Sequence, residues 1–262
     1  MKKISNETIK YYEGNDKKSI LIYVILRGLI FICMVREIFI GNIHNALLCI
    51  LTLFLFFLPF FLEKRLKIKL PSVLEISIFL FIFSAEILGE INNFYINIPH
   101  WDTILHTLNG FLCASIGFSL INLLNEKTKL FNLSPLFVAL VSFCFSMTVG
   151  VVWEFFEYGM DYIFKLDMQK DYYITNINTV SLDEAKSNKV INVDSIEYSV
   201  LYDKNSNEIV KLNGYLDIGL HDTMKDLIVN FIGAFVYSIF GYLYIINHKK
   251  YKLAGKFITE KV

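Results

Sequence analysis

Cysteine is scarce in this chain, and the four present stand apart from one another. Cys33, Cys49, Cys113 and Cys144 each lie inside an apolar stretch, and none has a CxxC partner. That pattern excludes metal-ligand spacing among the thiols and argues against a disulfide framework; they read as small buried hydrophobes. A surplus of either charge is also missing, since 25 Lys and Arg balance 25 Asp and Glu. With no basic excess there is no electrostatic footprint for nucleic acid, and none is expected as a partner. The opening MKKISNETIKYYEGNDKK is polar, and no short apolar run ending in an A-x-A site follows it. A cleaved signal peptide is therefore not expected, and the first hydrophobic segment should be retained. No internal repeat or low-complexity tract is evident.

What the chain does have is hydrophobic length. Apolar residues make up 55% of 262, with a mean hydropathy of +0.48. A soluble domain sits near about 45–50% apolar, so the excess indicates a polytopic membrane protein. A stretch of about 20 apolar residues spans the hydrocarbon core. Six such windows occur, at approximately 19–40, 44–62, 71–92, 101–124, 134–160 and 224–246. Pro59, near the end of the second, is placed to kink it. The expected fold is an all-α polytopic membrane protein with about six transmembrane helices, residues 1–262 forming a single integral membrane domain.

Loop charge predicts the orientation. Lys2, Lys3, Lys10, Lys17 and Lys18 precede the first window, and Lys64, Arg65, Lys67 and Lys69 separate the second from the third. Lys127 and Lys129 lie between the fourth and fifth, and Lys249, Lys250, Lys252, Lys256 and Lys261 follow the sixth. The opposite side has Arg36 near the first turn and no Lys or Arg in INNFYINIPH. By the positive-inside rule both termini are cytoplasmic. Residues 164–220 then form a long extracytoplasmic loop, or cap, between helices 5 and 6. Within it, 196–202 and 208–212 alternate around the turn-rich 203–207, which predicts a small β-hairpin.

Ionisable residues interrupt four of the windows. Glu86 and Glu90, Asp102 and His106, Glu154 and Glu157, and Asp222 and Asp226 sit in otherwise apolar segments. A charge at mid-bilayer depth costs roughly 2.5–3.5 kcal/mol on insertion scales, so such groups face a cavity or a partner. The predicted topology puts all of them toward the outer side. Residues three or four apart share a helix face, which groups Asp102, His106 and Asn109; Glu154, Glu157 and Asp161; and Asp222, Asp226 and Asn230. Ser142, Ser146 and Gly150 continue the Glu154 face inward, as Gly233 and Ala234 do below Asp226. Such small residues permit close helix approach.

Three chemistries fit such a set. Carboxylates and an imidazole from different helices can bind a divalent metal ion, with Asp102, His106, Glu154, Glu157, Asp222 and Asp226 as ligands. Mutual repulsion can instead hold one carboxyl protonated beside an ionised base, with His106, Glu154, Glu157 and Asp226 as catalytic groups. Arg36 or Lys225 can also neutralise part of the cluster and leave a structural charge network. Taken singly the residues have plainer explanations. Asp102, Asp161 and Asp222 suit a membrane boundary, His106 suits hydrogen-bonded packing, and Trp101 and Trp153 suit interfacial anchoring.

The run Trp101-Asp102-Thr103-Ile104-Leu105-His106-Thr107-Leu108-Asn109-Gly110-Phe111 resembles the WD-x3-H-x3-GF element of the YjdF-type inner-membrane proteins. Trp153-Glu154-Phe155-Phe156-Glu157 resembles their WE-x2-E element, and the run from Asp222 through Asp226 to Gly233-Ala234 their closing DT-x2-D-x6-GA element. Met168-Gln169 looks like a short element that follows the fifth helix in some members. The resemblance implies a bacterial cytoplasmic-membrane location and carries over Asp102, His106, Glu154, Glu157, Asp222 and Asp226 as motif residues. More distantly the chain is similar to VanZ-like membrane proteins, which implies the cell envelope. The resulting expectation is a protein acting on an envelope lipid or cell-wall precursor, with metal assistance. Two alternatives stand beside it, a carrier of protons, cations or a small solute, and a structural or resistance-associated protein without catalysis.

Overall fold

The computed structural model describes residues 17–66, 68–127 and 133–261. Six helical stretches are long and apolar enough to cross a membrane: Lys17–Ile40, Ile43–Arg65, Ser72–Ile91, Trp101–Asn125, Pro135–Phe164 and Leu220–Ile246. The expected all-α membrane architecture with about six spans is what the chain adopts. α1 (Lys17–Ile40) ends at Gly41, whose φ of +85° lets the Asn42 N–H reach the Glu37 carbonyl at 2.9 Å and reverses the chain. Asn42 then caps α2 (Ile43–Leu55), its Oδ1 accepting the Asn45 N–H at 3.1 Å.

Two spans depart from a straight α-helix. The second breaks at Phe56-Phe57 and resumes as α3 (Leu58–Leu66). Pro59 has no N–H for the Leu55 carbonyl, and its ring crowds that turn, so the interruption falls just ahead of it. The third begins as α4 (Ser72–Phe83) and widens into a π-helical segment, Ser84–Ile91. A short helix, α5 (Phe94–Asn97), links it to α6 (Trp101–Lys127). α7 (Pro135–Phe164) and α8 (Leu220–Ile246) complete the spans, and α9 (Lys252–Gly255) follows.

The chain divides into two compact units, one of residues up to Val151 together with those from Asp226 onward, the other Val152–Lys225. The first holds two hydrophobic clusters. In one, Tyr23, Phe56 and Phe79 meet with ring centroids 5.1–6.1 Å apart, surrounded by Leu26, Ile30, Leu74 and Ile78. The other contains Ala114, Phe118, Val138, Ala234 and Tyr237. Strand β1 (Ile68–Lys69) also belongs to this unit and pairs antiparallel with β8 (Glu260–Lys261).

The second unit contains the expected hairpin. β5 (Ser199–Tyr202) pairs antiparallel with β6 (Glu208–Leu212), with an irregularity between Leu201 and Tyr202. Asp203 organises the turn by accepting the N–H groups of Asn205 and Asn207, both at 2.8 Å, and the Asn207 side-chain amide at 3.0 Å. Two further antiparallel pairs lack a comparable signal in sequence. β2 (Tyr172–Ile174) pairs with β7 (Tyr215–Asp217), and β3 (Ile177–Thr179) with β4 (Ile191–Val193). Strands of three residues are too short for alternation to stand out.

Candidate functional site

Small residues bring α6 and α8 into backbone contact in the first unit and let α7 reach α6 through serine side chains. A β-carbon on Gly233 of α8 would collide with the Thr107 carbonyl oxygen of α6, and one on Gly110 with the Asn230 carbonyl oxygen. At that crossing the Asn109 Nδ2 donates to Asn230 Oδ1 at 3.1 Å. Ser146 of α7 donates to the Gly110 carbonyl at 2.7 Å, and Ser142 to the Ala114 carbonyl at 2.6 Å. These serines face the bundle because each replaces a hydration partner with an otherwise occupied helix carbonyl. The stripe at Ser142, Ser146, Gly233 and Ala234 therefore packs helices, as its spacing suggests.

One turn from this crossing, α6 and α8 bring together Asp102, His106 and Asp226. His106 Nε2 lies 3.3 Å from Asp102 Oδ1 and 3.8 Å from Asp226 Oδ2. One ligand atom from each of the three lies within 4.8 Å of the others, the one such grouping among the described residues. Asp226 is 1% exposed, so its carboxylate has little access to bulk water and relies on neighbouring charge and dipoles. The Asp102–His106 half follows from i,i+4 spacing; the Asp226 half comes from the helix crossing.

Trp101 ties the start of α6 to the third span. Its indole N–H donates to the Ser84 carbonyl at 3.3 Å, and its ring meets Phe94 edge-on at 5.0 Å. Ser84 opens the π-helical segment, where the shifted ladder makes a carbonyl accessible to such a donor. Glu86 and Glu90 both lie in that segment, the first half-buried and the second exposed. Neither belongs to the Asp102–His106–Asp226 group.

Glu154, Glu157 and Asp222 belong to the second unit, and all three are buried. Glu157 accepts the Trp153 indole N–H at 2.9 Å. Asp222 accepts the Lys170 N–H at 2.8 Å and lies 3.7 Å from Lys225 Nζ. Asp161 accepts the N–H groups of Met168 and Gln169 at 2.6 and 2.8 Å, and the Gln169 side chain donates to Thr223 Oγ1. The Met168-Gln169 element is thus the strap joining α7 to the start of α8 in this unit. Nearby Asp171 has its pKa raised, by burial first and then by the carboxylates of Asp167, Asp217 and Asp161.

Arg36 serves a different partner from the one proposed on charge alone. Its guanidinium binds Glu37 at 2.6 Å, and the other Glu37 oxygen accepts the Asn45 amide at 3.1 Å. Glu37, 4% exposed, and Glu75, 2% exposed, are buried acids outside the motifs. Only their place inside apolar runs signals them, and Glu37 is masked in sequence by its position near a span end. Lys225 does neutralise an acid of the expected set, Asp222.

A family model described as "Predicted membrane protein (DUF2238)" matches residues 21–247. That match covers all three motif elements and accords with the YjdF-type resemblance; it does not bear on the VanZ-like one. An uncharacterized protein of Thermotoga maritima is 29% identical over 107 residues, 41% of this chain and 54% of its own length. The chain thus spans about half the length of this curated relative. No solved structure matches.

Proposed function

We propose, on the premise that the chain belongs to the DUF2238 family of membrane proteins, that Asp102, His106 and Asp226 hold a divalent metal ion. On this reading the site serves chemistry on a lipid or lipid-linked precursor of the bacterial envelope. The observation that carries the metal is the convergence of two carboxylate oxygens on one imidazole nitrogen, at 3.3 and 3.8 Å. Metal–ligand bonds of about 2.0–2.2 Å place neighbouring donors roughly 3–3.5 Å apart, close to these separations. The mixed nitrogen and oxygen set suits zinc or another first-row divalent ion. Two anionic groups this close also favour a cation between them over mutual repulsion.

An ion held by these three residues would supply Lewis acidity toward a substrate oxygen. Asp102, His106 and Asp226 would hold the ion, with His106 offering Nε2, the nitrogen that faces both carboxylates. Glu154 and Glu157 are proposed as acid/base groups of the second unit, on motif and spacing alone. Loop charge supports an outward orientation of the Trp101 and Leu220 helix ends, with cytoplasmic termini and residues 164–220 outside. A site carried on membrane-spanning helices favours a substrate that partitions into the bilayer.

The test is metal analysis of protein purified in detergent without chelators. Wild type should retain a divalent ion, and His106→Ala and Asp226→Asn should lose it while remaining monodisperse. Metal-free wild type that also fails to take up zinc or manganese on dialysis would remove the proposal. Headgroup release from lipid phosphates in mixed micelles, with and without chelator, then tests the substrate class.

A further inference from the structure

The segment after α8 turns back into the bundle. Asn247 caps the exit, accepting the Lys250 N–H at 3.1 Å on its side chain, and α9 passes with Gly255 against the Tyr244 ring. Phe257 then enters between the two hydrophobic clusters. Its ring lies edge-on to Phe111 at 5.2 Å and to Tyr237 at 6.4 Å, and it packs on both clusters. Ile258 packs on the second cluster alone. The Thr259 N–H donates to Ser119 Oγ at 3.0 Å, and the next two residues pair with Ile68 and Lys69. Residues 257–261 therefore touch α6, α8 and the connection between the second and third spans.

Helix rise gives the depth of this insertion. Ser119 is eight residues, about 12 Å, inside the Lys127 end of α6, and His106 is about 20 Å further along the same helix. Non-helical backbone at such depth is tolerated only where protein surrounds it. Thr259 is 3% exposed, and its backbone donor is satisfied by a side chain from α6. Among the described residues, the hydroxyls of Tyr237 and Thr259 are buried without a hydrogen-bond partner. The inserted backbone is thus enclosed by protein and hydrogen-bonded, as its depth requires.

We propose that residues 257–261 form a wedge that seals the bundle at the end opposite Asp102, His106 and Asp226. With the wedge seated, those residues are reached only from the other end of the bundle. Withdrawal of Phe257 would remove one of the side chains that pack on both clusters, leaving Phe111 to bridge them, and admit water along α6. This inference does not depend on the metal reading, because it concerns access and not ligation.

The experiment is thiol labelling in vesicles of a chain with Cys33, Cys49, Cys113 and Cys144 replaced by alanine. The probe is Ser115→Cys, fully buried one turn deeper than Ser119. The reference is His248→Cys, exposed beyond the end of α8. A membrane-impermeant methanethiosulfonate is applied on the side where the reference reacts. Ser115→Cys should be protected in the otherwise unaltered chain. Phe257→Ala, and independently Thr259→Pro, should raise its labelling rate at least roughly tenfold, as expected where protection reflects local opening. Rapid labelling of Ser115→Cys with residues 257–261 intact would overturn the proposal, and that arm requires no wedge variant to fold. So would continued protection in both wedge variants once size-exclusion shows them monodisperse. Metal content, measured alongside, reports separately on the proposed ligand site.

Discussion

Gly233 of α8 lies against Thr107 of α6 with no room for a side chain between them. Asp226, two turns earlier on α8, reaches His106 at this crossing. Gly233→Ala should therefore force the helices apart and cost about 1–3 kcal/mol, the usual penalty of overpacking. Gly28 on α1 has open space around the position of a β-carbon. Gly28→Ala should be neutral or gain up to about 1 kcal/mol from helix propensity. Thermal unfolding in detergent compares the two, and equal effects would contradict the close crossing.

The Asn109–Asn230 pair secures the same crossing from the side-chain level. Removing either amide should cost about 0.5–1.5 kcal/mol, the net value of an ordinary hydrogen bond, plus the penalty of the partner left behind. Asn109→Ala and Asn230→Ala together should then cost less than the sum of the singles. A double-mutant cycle on chemical denaturation measures that coupling. Strict additivity would show that the amides act independently.

Arg36 and Glu37 form a further pair whose partners are unequally placed. Glu37 is buried whereas the Arg36 side chain is half exposed. Arg36→Ala leaves a buried carboxylate with the Asn45 amide but without its cation, and should destabilise by about 1–3 kcal/mol. Arg36→Ala combined with Glu37→Gln should recover part of that loss. If the double variant is less stable than Arg36→Ala, repulsive burial of the carboxylate is not the cause.

The strands of the second unit offer a pH test. Asp203 is held below the ordinary carboxylate range by the Asn207 side chain and by N–H groups of its turn. Asp183 is lowered likewise, first by the Lys189 N–H and then by the Ser187 hydroxyl. A depressed folded pKa adds stability above the unfolded value of about 3.9. That contribution is lost as pH falls through the folded pKa. Amides of 183–189 and 203–207 should lose hydrogen-exchange protection, corrected for intrinsic rates, between about pH 5 and 2. Asp203→Ala should lose it for the hairpin turn even at neutral pH; an unchanged turn in that variant would refute the role of Asp203.

Parts of the fold were legible because one physical force dominates them. Twenty consecutive apolar residues have few alternatives to spanning, and the helices begin and end within a few residues of the hydropathy windows. Residues 199–212 were legible because alternation flanks an Asp203–Asn207 turn whose side chains satisfy their own backbone. The π-helical segment was not, since Ser84–Ile91 has no local composition that separates it from an α-helix. Its wider ladder is supported by distant groups, Trp101 among them. The strand pairs β2–β7 and β3–β4 were hidden for the related reason that three-residue strands depend on partners far away in the chain.

The candidate site divides in the same way. Sequence by itself determined which residues are costly in a membrane, and that Asp102 and His106 share a face. It also determined that Ser142, Ser146, Gly233 and Ala234 are small where helices meet, because helical phase and side-chain volume are local properties. Only the tertiary structure decided that Asp226 joins Asp102 and His106, and that Asp222 and Asp161 hold the Lys170 and Met168-Gln169 amides. Only it placed Phe257 between the two hydrophobic clusters. Those choices depend on which helices cross and at what register, and backbone contacts such as Gly233 on Thr107 set them.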